Sequence, residues 1–337
     1  MKSLPRLFLV AGVVLFVWLL FRIGPSALAA NVRLVGWRLP LLVALGLVTL
    51  FFDTLGWRFA IPPEHRNVPF RTLAAMRMAG DAVNYVTPSA AIGGEVVRVA
   101  LLRRFIPATA AAASVALLVI AQFFSQALFV AMGAAFYVPR LAGGRWAMVA
   151  VVPLTALATL LAGLVFLMVR SDAFRSIDRF ARRIPWLARV IDPAEAGALD
   201  EAIFGAFRRR PADLALAVLS FLAAWFVGVV EAFLILRFLG APVSWGSAIA
   251  IESLSVLIET AFFFVPAKMG TQEGGKVAIF VALGLDASKG FALGFVRRLR
   301  ELAWAFFGLW ALLAMERRAR RAISGGEARA DSGPDPA

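Results

Sequence analysis

Two acid–base pairs with the same internal order stand far apart in this chain. Glu95 and Arg98 lie three residues apart, and so do Glu273 and Lys276. Each pair follows a proline, Pro88 or Pro266, and each proline follows an acid, Asp81 or Glu259. Acid, proline, acid and base thus recur in register, each 178 residues after its counterpart, and the next two residues, Val99-Ala100 and Val277-Ala278, are identical. Residues three apart share a helical face, so each Glu can pair with the base that follows it. Carboxylates beside arginine or lysine can bind a charged group, carry a proton or close an ion pair.

What such charges cost depends on their surroundings, and here these are apolar. The chain has 337 residues, 61% hydrophobic and only 17% charged, with mean hydropathy +0.82. A soluble domain runs nearer about 45–50% apolar and about 25% charged. Continuous apolar runs at about 7–23, 39–60, 109–138, 146–169, 213–239 and 291–315 are long enough to cross the hydrocarbon core, which takes about 20 residues of helix. The backbone must be satisfied internally in lipid, so continuous runs of this kind are helices. The two acid–base pairs fall in two further apolar regions, about 72–105 and 247–285, each broken by proline and glycine. The expected fold is an all-α polytopic membrane protein, about six transmembrane helices plus two opposed re-entrant hairpins in an inverted repeat. Three full spans separate the hairpins, and that odd number turns the second copy upside down. Inverted repeats with broken helices bind substrate near the midplane, where the repeats meet.

The hairpin chemistry follows from its parts. Proline ends the incoming helix at Pro88 and Pro266, because it lacks an N–H and clashes with the preceding turn. Gly93, Gly94 and Gly270 allow reversal and close backbone approach. The outgoing half-helix starts near Glu95 or Glu273 and turns free N–H groups inward, which favours an anion. Lys268 adds a cation to the second break, and the last span adds Arg297, Arg300 and Glu301. Counted from Ser288, Arg297 lies roughly 14 Å deep and Arg300 near the bilayer centre. Arg297 and Glu301, four apart, can pair. Asp53 and Glu231, nearer the membrane ends, suit a structural role. The competing reading of all these charges is an ion-pair network that only joins helices.

Several chemistries are excluded or weakened. The chain has no cysteine and one histidine, His65, in a polar stretch, so no thiol nucleophile and no metal or other cofactor is expected. The net charge of +14 does not indicate nucleic acid, because the arginines cluster in short loops beside apolar spans. That clustering orients membrane proteins. Arg58, Arg66, Arg71, Arg77, Arg103, Arg104, the arginines between Arg170 and Arg210, and Arg317, Arg318, Arg320 and Arg321 fall on one side; Arg22, Arg33, Arg38, Arg140, Arg145, Arg237 and Lys289 fall on the other. The asymmetry places both termini in the cytoplasm, and the expected location is a bacterial inner membrane. The N-terminus imitates a secretory signal, but Arg22, Gly24 and Pro25 follow its apolar run and the helix reads as uncleaved. Residues 1–315 form one transmembrane domain. Within it, a cytoplasmic loop at about 170–211 carries Phe174, Ile177, Ala181 and Ile184 at helical spacing among arginines, the pattern of a basic amphipathic helix. Residues 316–337 read as a basic, disordered cytoplasmic tail.

Asn84-Tyr-Val-Thr-Pro88, then Gly93-Gly94-Glu95 with Arg98, and Pro266, Gly270 and Glu273 in the second half resemble the flippase-like transmembrane domain of the lysylphosphatidylglycerol synthases. The resemblance covers roughly residues 5–315 and includes stand-alone members, one subgroup of which is associated with hopanoid biosynthesis. In full-length synthases a cytosolic aminoacyl-transferase domain follows; this chain is expected to lack it, so the resemblance implies lipid translocation rather than lipid aminoacylation. The second copy departs from the first at Phe262, which stands where Asn84 does. The expected partners are membrane lipids with a phosphate-bearing headgroup, neutralised by Arg98, Lys268, Lys276 or Arg300, and a lipid-synthesis enzyme is a further candidate partner. Without a nucleotide-binding motif, ATP is not the direct driving force. Two rival functions are an intramembrane enzyme acting on lipid phosphate or lipid-linked sugar, and a non-transporting partner of a lipid-modifying enzyme.

Overall fold

The computed structural model describes residues 25–86, 93–141, 210–262 and 270–331, together with Trp18, Phe21, Val265 and Lys268. The expected span at about 146–169 lies outside these residues, as does most of the one at 7–23 and of the amphipathic loop. Pro88 and Pro266, the expected hairpin breaks, lie outside them too.

Every element among the described residues is a helix. A short helix, α1 (Pro25–Val35), runs through a 3-10 turn (Gly36–Arg38) into α2 (Leu39–Ala60). Two short helices follow, α3 (Phe70–Val86) and α4 (Gly93–Leu102), and then the long α5 (Ala108–Leu141). The second half repeats this order with α6 (Pro211–Phe238), the short α7 (Trp245–Ala261) and α8 (Thr271–Ala282), and the long α9 (Ala287–Asp331).

Local chemistry sets the boundaries. Proline stands in the first turn of α2 and of α6, where its missing N–H costs nothing. The Ser244 hydroxyl caps α7 by accepting the Ser247 N–H at 3.1 Å. The α8 helix begins after Gly270, which sits at φ +71°, and ends before Gly284 at φ +69°. Beyond that end the Leu285 N–H reaches back to the Phe280 carbonyl at 2.7 Å, a glycine-dependent helix stop. At the other end of the sequence, α9 continues to Asp331 and takes in residues expected in a disordered tail. Alanine and arginine dominate residues 314–323 and are good helix formers.

Among the described residues, three helical segments are long and apolar enough to cross a membrane: Ala29–Ala60, Ala108–Phe136 and Pro211–Phe238. On α9 the charges at 297, 298, 300 and 301 interrupt the apolar run, yet Leu302, Phe306, Trp310 and Leu313 form an exposed stripe along one face. Such a stripe, with exposed Leu41, Leu47, Phe51, Phe123, Leu128 and Leu219 elsewhere, suits lipid rather than water. α3, α4, α7 and α8, at 17, 10, 17 and 12 residues, are too short to span.

Burial divides into two cores. One gathers Trp57, Leu73, Met76, Leu101, Leu102, Leu117 and Phe221 around α3 and α4. The other gathers Phe129, Val229, Ile235, Leu257, Ile279, Phe280 and Leu293 around α7 and α8. The helices α5 and α6 enter both: their N-terminal ends (Ala111, Ala217) lie in the first core, and their later turns (Phe129, Ile235) in the second. Eighteen residues of helix separate these positions, about 27 Å, so the two short-helix pairs sit near opposite ends of α5 and α6. α2 packs along α6, α3 along α9, and α7 along α5.

Candidate functional site

The first charge cluster is built where α3 and α4 touch. A side chain at Gly94 would overlap the Gly80 carbonyl, so glycine is what allows the contact. The Gly94 N–H, at the start of α4, donates to Asn84 Oδ1 at 2.6 Å, and Asn84 Nδ2 donates to Glu95 Oε1 at 3.4 Å. Arg98 is 1% exposed. It donates to Glu95 Oε1 at 2.5 Å and, across the hairpin, to Asp81 Oδ1 at 2.5 Å. Asp81 also accepts from Arg77 Nε at 3.0 Å, and Arg77 reaches Asp53 on α2 at 3.5 Å. From α6, the ring of Phe221 lies 5.9 Å from the Arg77 guanidinium. Three carboxylates thus share two buried guanidiniums, with Asp81 itself about half exposed.

The second cluster joins α6, α7, α8 and α9. Lys276, 1% exposed, points across its hairpin to Glu259 Oε1 at 3.4 Å. Lys268, in the turn before α8, holds the other oxygen of Glu259 at 2.5 Å. Its side chain is 40% exposed and its backbone has φ +50°, a strained conformation for a residue other than glycine. Glu273 is fully buried and receives two N–H groups of Arg298, at 2.5 and 2.9 Å. Arg297 donates to Glu252 at 2.9 Å and to the Gly228 carbonyl at 2.9 Å, and lies 3.6 Å from Glu231. Arg300 lies 3.0 Å from Glu231 and 4.0 Å from Glu301. Glu301 accepts from Gln272 Nε2 at 3.3 Å. Here carboxylates and cations match in number, Glu231, Glu252, Glu259, Glu273 and Glu301 against Lys268, Lys276, Arg297, Arg298 and Arg300.

The sequence-derived residues therefore separate into two groups. Asn84, Gly93, Gly94, Glu95 and Arg98 lie together on α3 and α4. Lys268, Gly270, Glu273, Lys276, Arg297, Arg300 and Glu301 lie at the second cluster, on α8, its preceding turn and α9. Two expected pairings are corrected. Glu273 does not pair with Lys276, because the fork of Arg298 offers it two parallel bonds from α9, the stronger arrangement. Arg297 does not pair with Glu301, because Glu252 and Glu231 hold it from α7 and α6.

Sequence reasoning missed Arg298, Arg77, Gln272 and Tyr85. Arg298 carried a usable signal. Three arginines within four residues cannot share one helical face, so each must meet a different neighbour. The Tyr85 phenol lies in the field of Glu301, Arg298, Glu273 and Lys268, and so links α3 to the second cluster. Among the described residues, two cavities lie away from both charge clusters. One of about 180 Å³ is lined by Glu64, His65, Asn67 and Phe105, and the other by Phe59, Leu117, Arg210 and Asp213.

Apolar helices with lipid-facing stripes, packed around buried charged groups on short helix pairs, define a multi-pass α-helical membrane protein. The transmembrane region of lysylphosphatidylglycerol synthases matches residues 7–310, and the chain belongs to that family. No curated protein and no solved structure gives a match. The family relates to lipid handling and its matched region is a membrane region without a soluble catalytic domain.

Proposed function

We propose that this protein moves a lipid, headgroup first, between the two leaflets of a bacterial inner membrane. In this reading α3–α4 and α7–α8 are re-entrant hairpins of an inverted repeat, and the headgroup passes between them near the midplane. One observation carries it: the base on the outgoing helix bonds the acid 17 residues before it in both copies, Arg98 to Asp81 and Lys276 to Glu259. The packing supports the same symmetry. Shifting by the repeat exchanges α3 with α7 and α5 with α9, and α3 lies along α9 as α7 lies along α5. The placement of the two short-helix pairs near opposite ends of α5 and α6 suits hairpins that enter from opposite faces. Both termini are cytoplasmic in this arrangement, in keeping with the positive-inside distribution.

Charges at membrane depth are costly and usually face a cavity or each other. The cations here are held by carboxylates, Lys268 by Glu259. The Lys268 side chain is nevertheless partly exposed, and Lys276 can keep Glu259 paired when Lys268 turns away. Lys268, beside the N-terminus of α8, is therefore the contact for a headgroup phosphate. In this reading Glu95 on α4 and Arg300 on α9 also contact the passing headgroup.

The test uses variants that leave no charge stranded. Arg98 keeps Asp81 when Glu95 is lost, and Glu231 keeps Arg297 when Arg300 is lost. Glu95→Gln and Arg300→Gln should fold normally in reconstituted vesicles yet move a fluorescent phospholipid about tenfold more slowly, roughly 1.4 kcal/mol in barrier. Wild-type protein that moves no phospholipid, or both variants at full speed, overturns the reading.

A further inference from the structure

Where α8, α9 and α3 come together, hydrogen-bond acceptors are left over. Gln272 is 1% exposed, yet only its amide N–H has a partner; its Oε1 has none among the described residues. The same is true of Glu301 Oε2, on the carboxylate that Gln272 touches, and of the Tyr85 hydroxyl. Tyr85 reaches this point because α3 and α9 are in close contact: a side chain at Gly308 would overlap Met78 and Ala82. Tyr85 lies about one turn beyond Ala82 on α3, and Glu301 two turns back from Gly308 on α9. A buried acceptor without a donor costs about 1–3 kcal/mol, so Gln272 Oε1 and Glu301 Oε2 favour a ligand that donates, while the Tyr85 hydroxyl can either accept or donate.

We infer that Gln272, Glu301 and Tyr85 form a headgroup-selective subsite for phospholipids whose headgroup carries N–H or O–H donors beyond the phosphate. The inference rests on the lipid-moving reading above and names what that site selects. Lys268 takes the phosphate, and the atoms past it, an ammonium or a hydroxylated alcohol, donate to Gln272 Oε1, Glu301 Oε2 and the Tyr85 hydroxyl. The acceptors are closed off in this conformation, so the donor enters when α3 parts from α9. A headgroup without donors leaves the same oxygens buried and unpaired, and such a site rejects it. A neutral hydrogen bond of this kind corresponds to about tenfold in affinity.

Two lipid pairs of equal charge isolate the donor. Phosphatidylethanolamine and phosphatidylcholine differ by three N-methyl groups, and phosphatidylglycerol and phosphatidylmethanol differ by the hydroxyls. In the first pair the donor lipid is the smaller and in the second the larger, so size alone cannot favour both. Lipid retained by purified full-length protein from equimolar mixtures, counted by native mass spectrometry, should favour the donor lipid about tenfold in at least one pair. A preference in the first pair alone identifies an ammonium, and in the second alone hydroxyls. Gln272→Met should bring the ratio to within about threefold, and Tyr85→Phe, which keeps the ring and its packing, should lower it as well. Equal retention within both pairs, or an unchanged ratio in both folded variants, overturns the inference. Because retention is read without transport, selective retention by a protein that moves no lipid leaves the subsite standing and removes only the lipid-moving reading.

Discussion

The two glutamates at matching places in the repeat should lose stability unequally on the same substitution. Glu273 is 0% exposed and takes two bonds from Arg298, whose side chain is 8% exposed. In Glu273→Gln the carbonyl still accepts one of these bonds, but the guanidinium loses its counter-charge in a low-dielectric site. The Lys268 carbonyl, which also accepts from Arg298 at 3.2 Å, carries no net charge to replace it. Breaking a buried pair from one side costs about 3–5 kcal/mol, and the retained hydrogen bond places this change near 3 kcal/mol. In Glu95→Gln, Arg98 keeps Asp81 at 2.5 Å, so the loss is one hydrogen bond, about 1 kcal/mol. Replacing both members, Glu273→Met with Arg298→Met, removes the stranded charge and should return most of the lost stability. Reversible unfolding in mixed micelles, titrated with SDS, measures all three variants on one scale. Equal losses for Glu95→Gln and Glu273→Gln refute the reasoning, and so does a double variant less stable than Glu273→Gln.

Two more outcomes follow from packing and charge. Gly94→Ala would drive a methyl into the Gly80 carbonyl and Asn84, so α4 must shift; overpacking of this kind costs about 1–3 kcal/mol, and a melting temperature equal to wild type would show that the helices do not touch there. Single cysteines placed in this cysteine-free chain test the proposed topology. One at Gly143 should react with an impermeant outside reagent in intact cells, while those at Ala194 and Ser324 should stay protected, and labelling at Ala194 refutes the arrangement.

Much of the architecture was legible along the chain because a bilayer leaves so few choices. Leu39–Ala60, Ala108–Leu141 and Pro211–Phe238 announce themselves as continuous apolar runs, since backbone N–H groups in lipid have no water to turn to. The starts of α4 and α8 beside Glu95 and Glu273 were readable from the glycines before them, and the acid–base register was readable as an internal repeat. These are local properties, set by neighbours within a turn or two.

The partners of the buried charges were not local. At Glu95 the nearest base in sequence, Arg98, is indeed the partner, but the same spacing at Glu273 and Lys276 misleads. Arg298, 25 residues away, takes Glu273, and Lys276 crosses to Glu259. The same holds for Arg297, which passes over Glu301 one turn away for Glu252, 45 residues earlier. A guanidinium removed from water goes to whichever carboxylate offers the best fork and the least remaining desolvation. That choice depends on which helix packs beside it, so the amino-acid sequence supplied the charges and the repeat, and the packing of α9 against α3 and α8 decided which charges meet.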